Sequence, residues 1–353
     1  LGLSMKGLNN SVFELVSDHL GEDQEWAWVK DFQKQTGLTV TLIATTAPAY
    51  ENNKMYNLAE QARLEGMEVR PQAAGRPTGV LHGLQSSFHA FVGHPTWRNE
   101  LSELEHEDLL IQLRDPAIKA KLLSEKSIIK GGLMQDLPSL MKQVFPLGEN
   151  PNYEPAIEES VAGIAKKCGQ DVMEVMYEML IAGEGSELFY QPLGGYQSYS
   201  LDYQKKLLEH PNVLFGLSDG GAHCGVIADA GMPTFIMTHW GRDRTRGEKL
   251  SVEFIVKSLT SSTAEAFGMH DRGSLQKDKI ADINIIDFDA LRLFRPEALF
   301  DLPAGGRRLV QRAEGYEATI KSGEIIFYNG SHTGALPGKL VRRSDESNRA
   351  SAN

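Results

Sequence analysis

Cysteine is scarce in this 353-residue chain: Cys168 and Cys224 stand alone and form no CxxC pair. That excludes a disulfide framework and a structural zinc knuckle, and it fits a reducing, cytoplasmic setting. Basic clusters are missing too. The net charge is -11 and no stretch gathers the Lys and Arg that a phosphate backbone requires, so nucleic acid is not an expected partner. No apolar run approaches the length of a membrane span, and the opening LGLSMKG has neither a basic n-region nor an apolar h-region. The chain therefore reads as soluble, not exported, and without a membrane partner. The ten histidines are scattered, with no HxH or HExxH among them.

What is present is a βα rhythm. Apolar, β-rich segments begin at positions 12 (VFELVS), 38 (LTVTLIA) and 67 (MEVRPQ), the spacing of strand–helix units. Between the first two, Trp26, Val29 and Phe32 lie at near-helical spacing and Gly37 follows as a C′ residue. Between the next two, Met55, Leu58 and Ala62 repeat the pattern before Gly66. A long helical excursion comes next, with Asp171–Ile181 as its clearest helix and Asp171/Glu174 as a capping-box pair. Strand character returns at Glu187–Gln191 and Val213–Ser218, and Ser251–Gly268 reads as the next helix. Five parallel strands are thus expected, where a full (βα)8 barrel has eight. The first of the five would lack its usual neighbour, and that open edge invites association or aggregation: the chain alone is expected to be oligomeric (a homo-oligomer), poorly soluble or inactive.

After Gly268 the short strands Ile283–Asp287, Tyr316–Lys321 and Glu324–Tyr328 alternate with Gly and Asp turns, as in a small antiparallel unit. The expected fold is α/β: a partial (βα)8 TIM barrel of about the last five strands, followed by part of a small β-sandwich. Residues 1–268 form the barrel portion with a helical insertion around 95–185, residues 269–342 the sandwich portion, and 343–353 a polar, disordered tail. The opening residues read as the end of a helix already under way, which implies sequence upstream.

The strongest local signal for chemistry is GLSDGGAH, Gly216 to His223, where an apolar strand ends on Ser218-Asp219 and runs into two glycines. Strand C-termini face the active site of a parallel barrel, and glycines there admit substrate close to the backbone. A carboxylate in that place can hold a hydrolytic metal ion and take a proton from its water; equally, Asp219 can cap the turn that follows. His223 is placed to hydrogen-bond substrate or to donate a proton, or else is solvated. Arg242, in THWGRDR, offers a fork for a substrate carboxylate, against the alternative of pairing with its own Asp243. Arg76, in RPQAAGRP, has the same two readings. Tyr190 stands either against an acyl or amide group or in the core.

The run Asp271–Asp287 (DRGSLQKDKIADINIID) resembles the stretch that leads from the last barrel helix into the small sandwich of the amidohydrolase superfamily. GLSDGGAH is similar to the strand-eight segment of its N-acyl-D-amino-acid deacylase (D-aminoacylase) group, and TGALPGKLVR (333–342) to that group's ending. The resemblance implies hydrolysis of the amide bond of an N-acyl-D-amino acid or related amide, zinc as cofactor, and Asp219 as the residue that approaches the metal and shuttles a proton from water to the leaving amine. It also implies a histidine ending strand five and another near strand six, where this chain has TLIATTA and VRPQAAGRP. Those departures keep two other readings open: a catalytically silent barrel acting as a binding or structural subunit, and an amidohydrolase for a different amide or a cyclic ureide.

Overall fold

A computed structural model describes residues 2–8, 11–17, 23–44, 54–130, 136–193, 195–216, 218, 221 and 223–341. In chain order its strands are β1 (Val12–Leu15), β2 (Thr39–Ile43), β3 (Val69–Ala74), β4 (Gly79–His82), β5 (Phe145–Pro146), β6 (Phe189–Pro192) and β7 (Leu214–Gly216). Beyond them lie β8 (Ile283–Ile286), β9 (Arg292–Leu293), β10 (Glu297–Leu302), β11 (Gly306–Val310), β12 (Ala313–Glu314), β13 (Tyr316–Lys321), β14 (Glu324–Tyr328) and β15 (Ser331–His332).

Strands β1, β2, β3 and β7 form a parallel sheet in that order. The helices α1 (Asp23–Thr36) and α2 (Lys54–Leu64) make the first two crossovers. Their apolar stripes are the expected ones: Trp26, Val29 and Phe32 are buried on α1, and Met55, Ala59 and Ala62 on α2. Each helix stops where a glycine takes a left-handed conformation, Gly37 at φ +70° and Gly66 at φ +67°, a backbone region that costs other residues more. Val40, Leu42 and Val69 fill the same core as these stripes.

The excursion between β3 and β7 is a structure of its own. Strands β4, β6 and β5 form a small antiparallel sheet, and Leu193 N–H donates to Thr78 O at 2.9 Å, so the chain leaves and re-enters at one place. Around it pack α3 (His106–Leu113), α4 (Pro116–Ser124) and the helices Val161–Cys168 and Val172–Ile181, with a separate core that includes Leu110, Leu113, Met176 and Tyr177. Asp171 caps the last of these, accepting from Met173 N and Glu174 N. Glu174 does not complete a capping box but takes the ammonium of Lys119 at 2.8 Å.

One strand expectation is corrected. The segment at Glu187–Gln191 does not join the parallel sheet: as β6 it runs antiparallel to β4, leaving four parallel strands among the described residues. An apolar strand buried on both faces looks the same in either setting. The single helix expected over Ser251–Gly268 is two, Val252–Leu259 and Ser261–Ala266, broken at Thr260.

The C-terminal region is antiparallel throughout, with a sheet of order β15-β14-β13-β8 and the pairs β10-β11 and β9-β12. Few of its side chains are buried; Leu291, Leu309 and Ala318 are. The fold is mixed α/β, and no helix among the described residues is long and apolar enough to cross a membrane.

Candidate functional site

The parallel sheet carries polar side chains on the face opposite its helices. Thr41 of β2 stands in register with Glu14 of β1 and Arg70 of β3. Gln72, two residues along β3, donates from Nε2 to Thr41 Oγ1 (2.8 Å) and Glu14 Oε1 (3.4 Å). The next strand makes room for that amide: a Cβ on Gly216 of β7 would lie 2.6 Å from Gln72 Oε1.

From Gly216 the chain enters the GLSDGGAH segment. Asp219 lies outside the described residues, as do Leu217, Gly220 and Ala222. The segment's flanks are well anchored. Ser218 Oγ donates to Ala230 O at 3.3 Å. His223 is exposed at φ +51°, and its carbonyl accepts from Val226 N and Ile227 N. Beyond it the backbone is stitched to two other regions. Leu81 N and Ser87 N of the excursion donate to Val226 O and Gly225 O, and Leu309 N of the C-terminal region donates to Cys224 O. A Cβ on Gly225 would fall 2.2 Å from Ser87 Oγ, so a larger residue there would have to displace the serine side chain.

Three of the four expected substrate contacts have partners inside the chain, although the buried Nε of Arg76 has none. Arg76 is 2% exposed, pairs with Asp229 Oδ1 at 3.0 Å and lies 3.9 Å over the ring of Tyr153. Tyr190 is equally buried and donates its hydroxyl to Pro77 O at 2.6 Å; burial pushes its phenol above the usual tyrosine range. Arg242 does pair with Asp243, and it also donates to the carbonyls of Phe288, Asp289 and Leu291, tying its segment to the turn that leads into the C-terminal strands. These side chains tie together the segments that follow β3 and β7, which form the rim of the sheet. His223 alone of the four expected substrate contacts remains exposed.

A buried network that sequence reading did not find lies behind the same rim. Glu154, from the excursion, takes a two-pronged bond from Arg244 (Nε to Oε2 3.0 Å, a terminal nitrogen to Oε1 2.9 Å). It also meets His239 Nε2 at 3.1 Å and accepts from Leu201 N at 2.9 Å. Burial alone would raise its pKa, but the bonds from His239, Arg244 and Leu201 outweigh it and hold the carboxyl at about 2. His239 and Arg242 belong to a π-helical turn, Ile236–Asp243, the wide geometry that lets Arg244 N reach His239 O.

Zinc chemistry needs several His, Cys, Asp or Glu side chains around one point. Among the described residues no group of three or more could hold a metal ion. The strand ends explain why: β2 ends at Ile43-Ala44, β3 at Ala73-Ala74 and β7 at Gly216. The polar side chains nearby are an amide, a hydroxyl and a single carboxylate, beside the guanidinium of Arg70, whose buried Nε has no partner. These residues do not fit a zinc site, and its ligands would have to come from outside them.

Residues 186–327, which span β6, β7, the rim and most of the C-terminal strands, match the amidohydrolase family. The superfamily resemblance read from the Asp271–Asp287 run is borne out. No curated protein matches the chain. Among solved structures it is similar to D-aminoacylase, described as defining a novel subset of amidohydrolases, at 15% identity, covering 92% of this chain and 54% of that one with a TM-score of 0.48. It is also similar to N-acyl-D-glutamate deacylase from Bordetella bronchiseptica, complexed with zinc and a phosphonate mimic of the tetrahedral intermediate. There the identity is 18%, the coverage 88% and 51%, and the TM-score 0.44. The chain spans about half the length of the solved structures it matches.

Proposed function

We propose that this chain is part of a hydrolase of non-peptide C–N bonds, built on a partial (βα) barrel, that deacylates an N-acyl-D-amino acid or a related amide. The observation that carries the reading is the amidohydrolase match over 186–327, which includes the GLSDGGAH segment following a strand of the parallel sheet. In this reading Asp219 takes a proton from the water that attacks the amide carbonyl and returns it to the departing amine. His223, exposed four residues on, hydrogen-bonds the substrate. Two-sided stitching of residues 224–226 to the excursion and to the C-terminal strands ties down the chain immediately after His223.

The test is Asp219→Asn in the full-length protein, assayed for amine release from N-acyl-D- and N-acyl-L-amino acids and a cyclic ureide. Loss of a general acid–base group lowers turnover by about a hundred- to ten-thousand-fold while the fold is kept. Unchanged turnover removes the assignment. A second reading, a barrel that kept its packing and lost catalysis, is favoured by the missing three-ligand group among the described residues. A full-length protein that retains no stoichiometric zinc and turns over none of the panel would establish it.

A further inference from the structure

We propose that the stretch from Leu81 to His89, where the chain enters the excursion, is an acid-sensitive latch: with His82 and His89 neutral it holds Gly225 and Val226, and as the two rings take up protons it lets go of both. The latch itself does not depend on the hydrolase reading; any effect on turnover, through the chain immediately after His223, does. His82 ends β4, and His89 follows a tight turn in which Gly83 N and Ser86 Oγ both donate to Phe88 O, at 3.0 and 2.6 Å. Both bonds to the segment after His223 lie beside or between the histidines: Leu81 N donates to Val226 O (2.7 Å) and Ser87 N to Gly225 O (2.8 Å). Arg307 adds a third tie, from Nη1 to Ser86 O at 2.7 Å.

Neither ring has a way to hold a charge where it stands. Both are at most 1% exposed, His82 edge-on to Phe88 and His89 edge-on to Trp97. Gln191 Oε1 lies 2.5 Å from His82 Nε2; a carbonyl oxygen only accepts, so that nitrogen carries the hydrogen and Nδ1 is bare. On His89 the bare nitrogen is Nδ1, which accepts from Phe91 N at 3.2 Å, so a second proton there would cost a backbone N–H its acceptor. His82 Nδ1 and His89 Nε2 are buried with no partner within the chain. Among the described residues, the charged or titratable groups that act on His89 are His82, His94 and Arg307, and none of them is a carboxylate. Gln191 is the one side chain that acts on His82, and Glu125, which faces His94, is held by Thr96. A proton on one ring therefore meets no counter-charge and repels a proton on the other. Protons enter when the stretch opens and water reaches the rings, so opening is driven by two protons together.

The experiment is hydrogen–deuterium exchange of the full chain from pH 7 to pH 5, read by mass spectrometry and corrected for the intrinsic pH dependence of exchange. Peptides covering 79–91 and 223–228 should lose protection together, by on the order of a hundredfold per pH unit below about pH 6, while those covering β2 and β3 keep theirs. In His82→Gln and in His89→Gln one titrating ring remains, and the slope should fall to about tenfold per unit. His210→Gln should leave the slope unchanged, since that buried ring already has the Glu60 carboxylate at 3.1 Å. Circular dichroism establishes that each variant is folded. Should a glutamine variant fail to fold, NMR titration of the wild-type rings decides: His82 and His89 charging together supports the latch, and independent charging overturns it. Protection of either peptide unchanged down to pH 5, equal loss across β2 and β3, or a wild-type slope in both glutamine variants would each overturn the proposal.

Discussion

The excursion and the C-terminal strand region use similar side chains and hold them in opposite ways. The excursion buries its own apolar core and sets its key ion pair, Glu154–Arg244, where both side chains are almost wholly shielded from water. The C-terminal region leaves Phe300, Ile325 and Tyr328 exposed and pairs its charges in the open, as in Arg308–Asp301 and Arg312–Glu297. What differs is the cost of losing a partner. A surface pair broken returns two ions to water, whereas a buried pair broken strands one of them.

The sharpest way to break this comparison is Glu154→Ala. It removes the bidentate acceptor of Arg244, which keeps Asp202 Oδ1 at 2.8 Å and Glu248 O at 2.7 Å, and we expect a destabilisation of about 2–3 kcal/mol in denaturant unfolding. A loss below about 1 kcal/mol would put the pair on the same footing as a surface bridge.

Acid provides the next test, through histidines of the excursion. Burial pushes His82 down to about 4 and His89 to about 3. Both folded-state values lie below the unfolded one near 6.5, so the unfolded chain takes up protons first as pH falls. Stability is therefore complete above about pH 6.5 and is lost as pH falls toward 4 for His82 and toward 3 for His89. Each contributes a loss of roughly 2 kcal/mol between pH 7 and 5. His89→Leu should flatten the stability–pH curve in that range, and an unchanged slope would show that the ring is solvated. The smallest effect belongs to Arg308→Ala in the C-terminal strands, for which we expect no more than about 1 kcal/mol and a further decrease in high salt.

Much of the parallel sheet was legible because its signals are local. The apolar stripes of α1 and α2, Gly37 and Gly66 lie within a few residues of what they determine. What stayed hidden was partnership across long stretches of chain. Arg76 at a strand end has the look of a substrate clamp, but its partner is Asp229 and its ring neighbour Tyr153, neither of them near it in sequence. Glu154 gave no warning at all, since an acidic residue between Tyr153 and Pro155 has no pattern that marks it for burial. The segment at Glu187–Gln191 reads correctly as a strand, but apolarity does not encode direction or partner, and β4 claimed it. Asp219, the residue of greatest interest, was picked from its strand-then-glycine context, and its placement lies outside the described residues.

The bond between Thr78 and Leu193 has an evolutionary corollary. More than a hundred residues leave and rejoin the scaffold by two stems that touch; Leu81, Ser87 and Glu154 bond back to residues beyond β7, so the appendage that can lengthen, shorten or be exchanged is its outer part, α3, α4 and the helices Val161–Cys168 and Val172–Ile181, whose core is separate. Natural variation in such a protein should collect inside that appendage, while Thr78, Leu193 and the two β strands that flank them keep the shape of the socket.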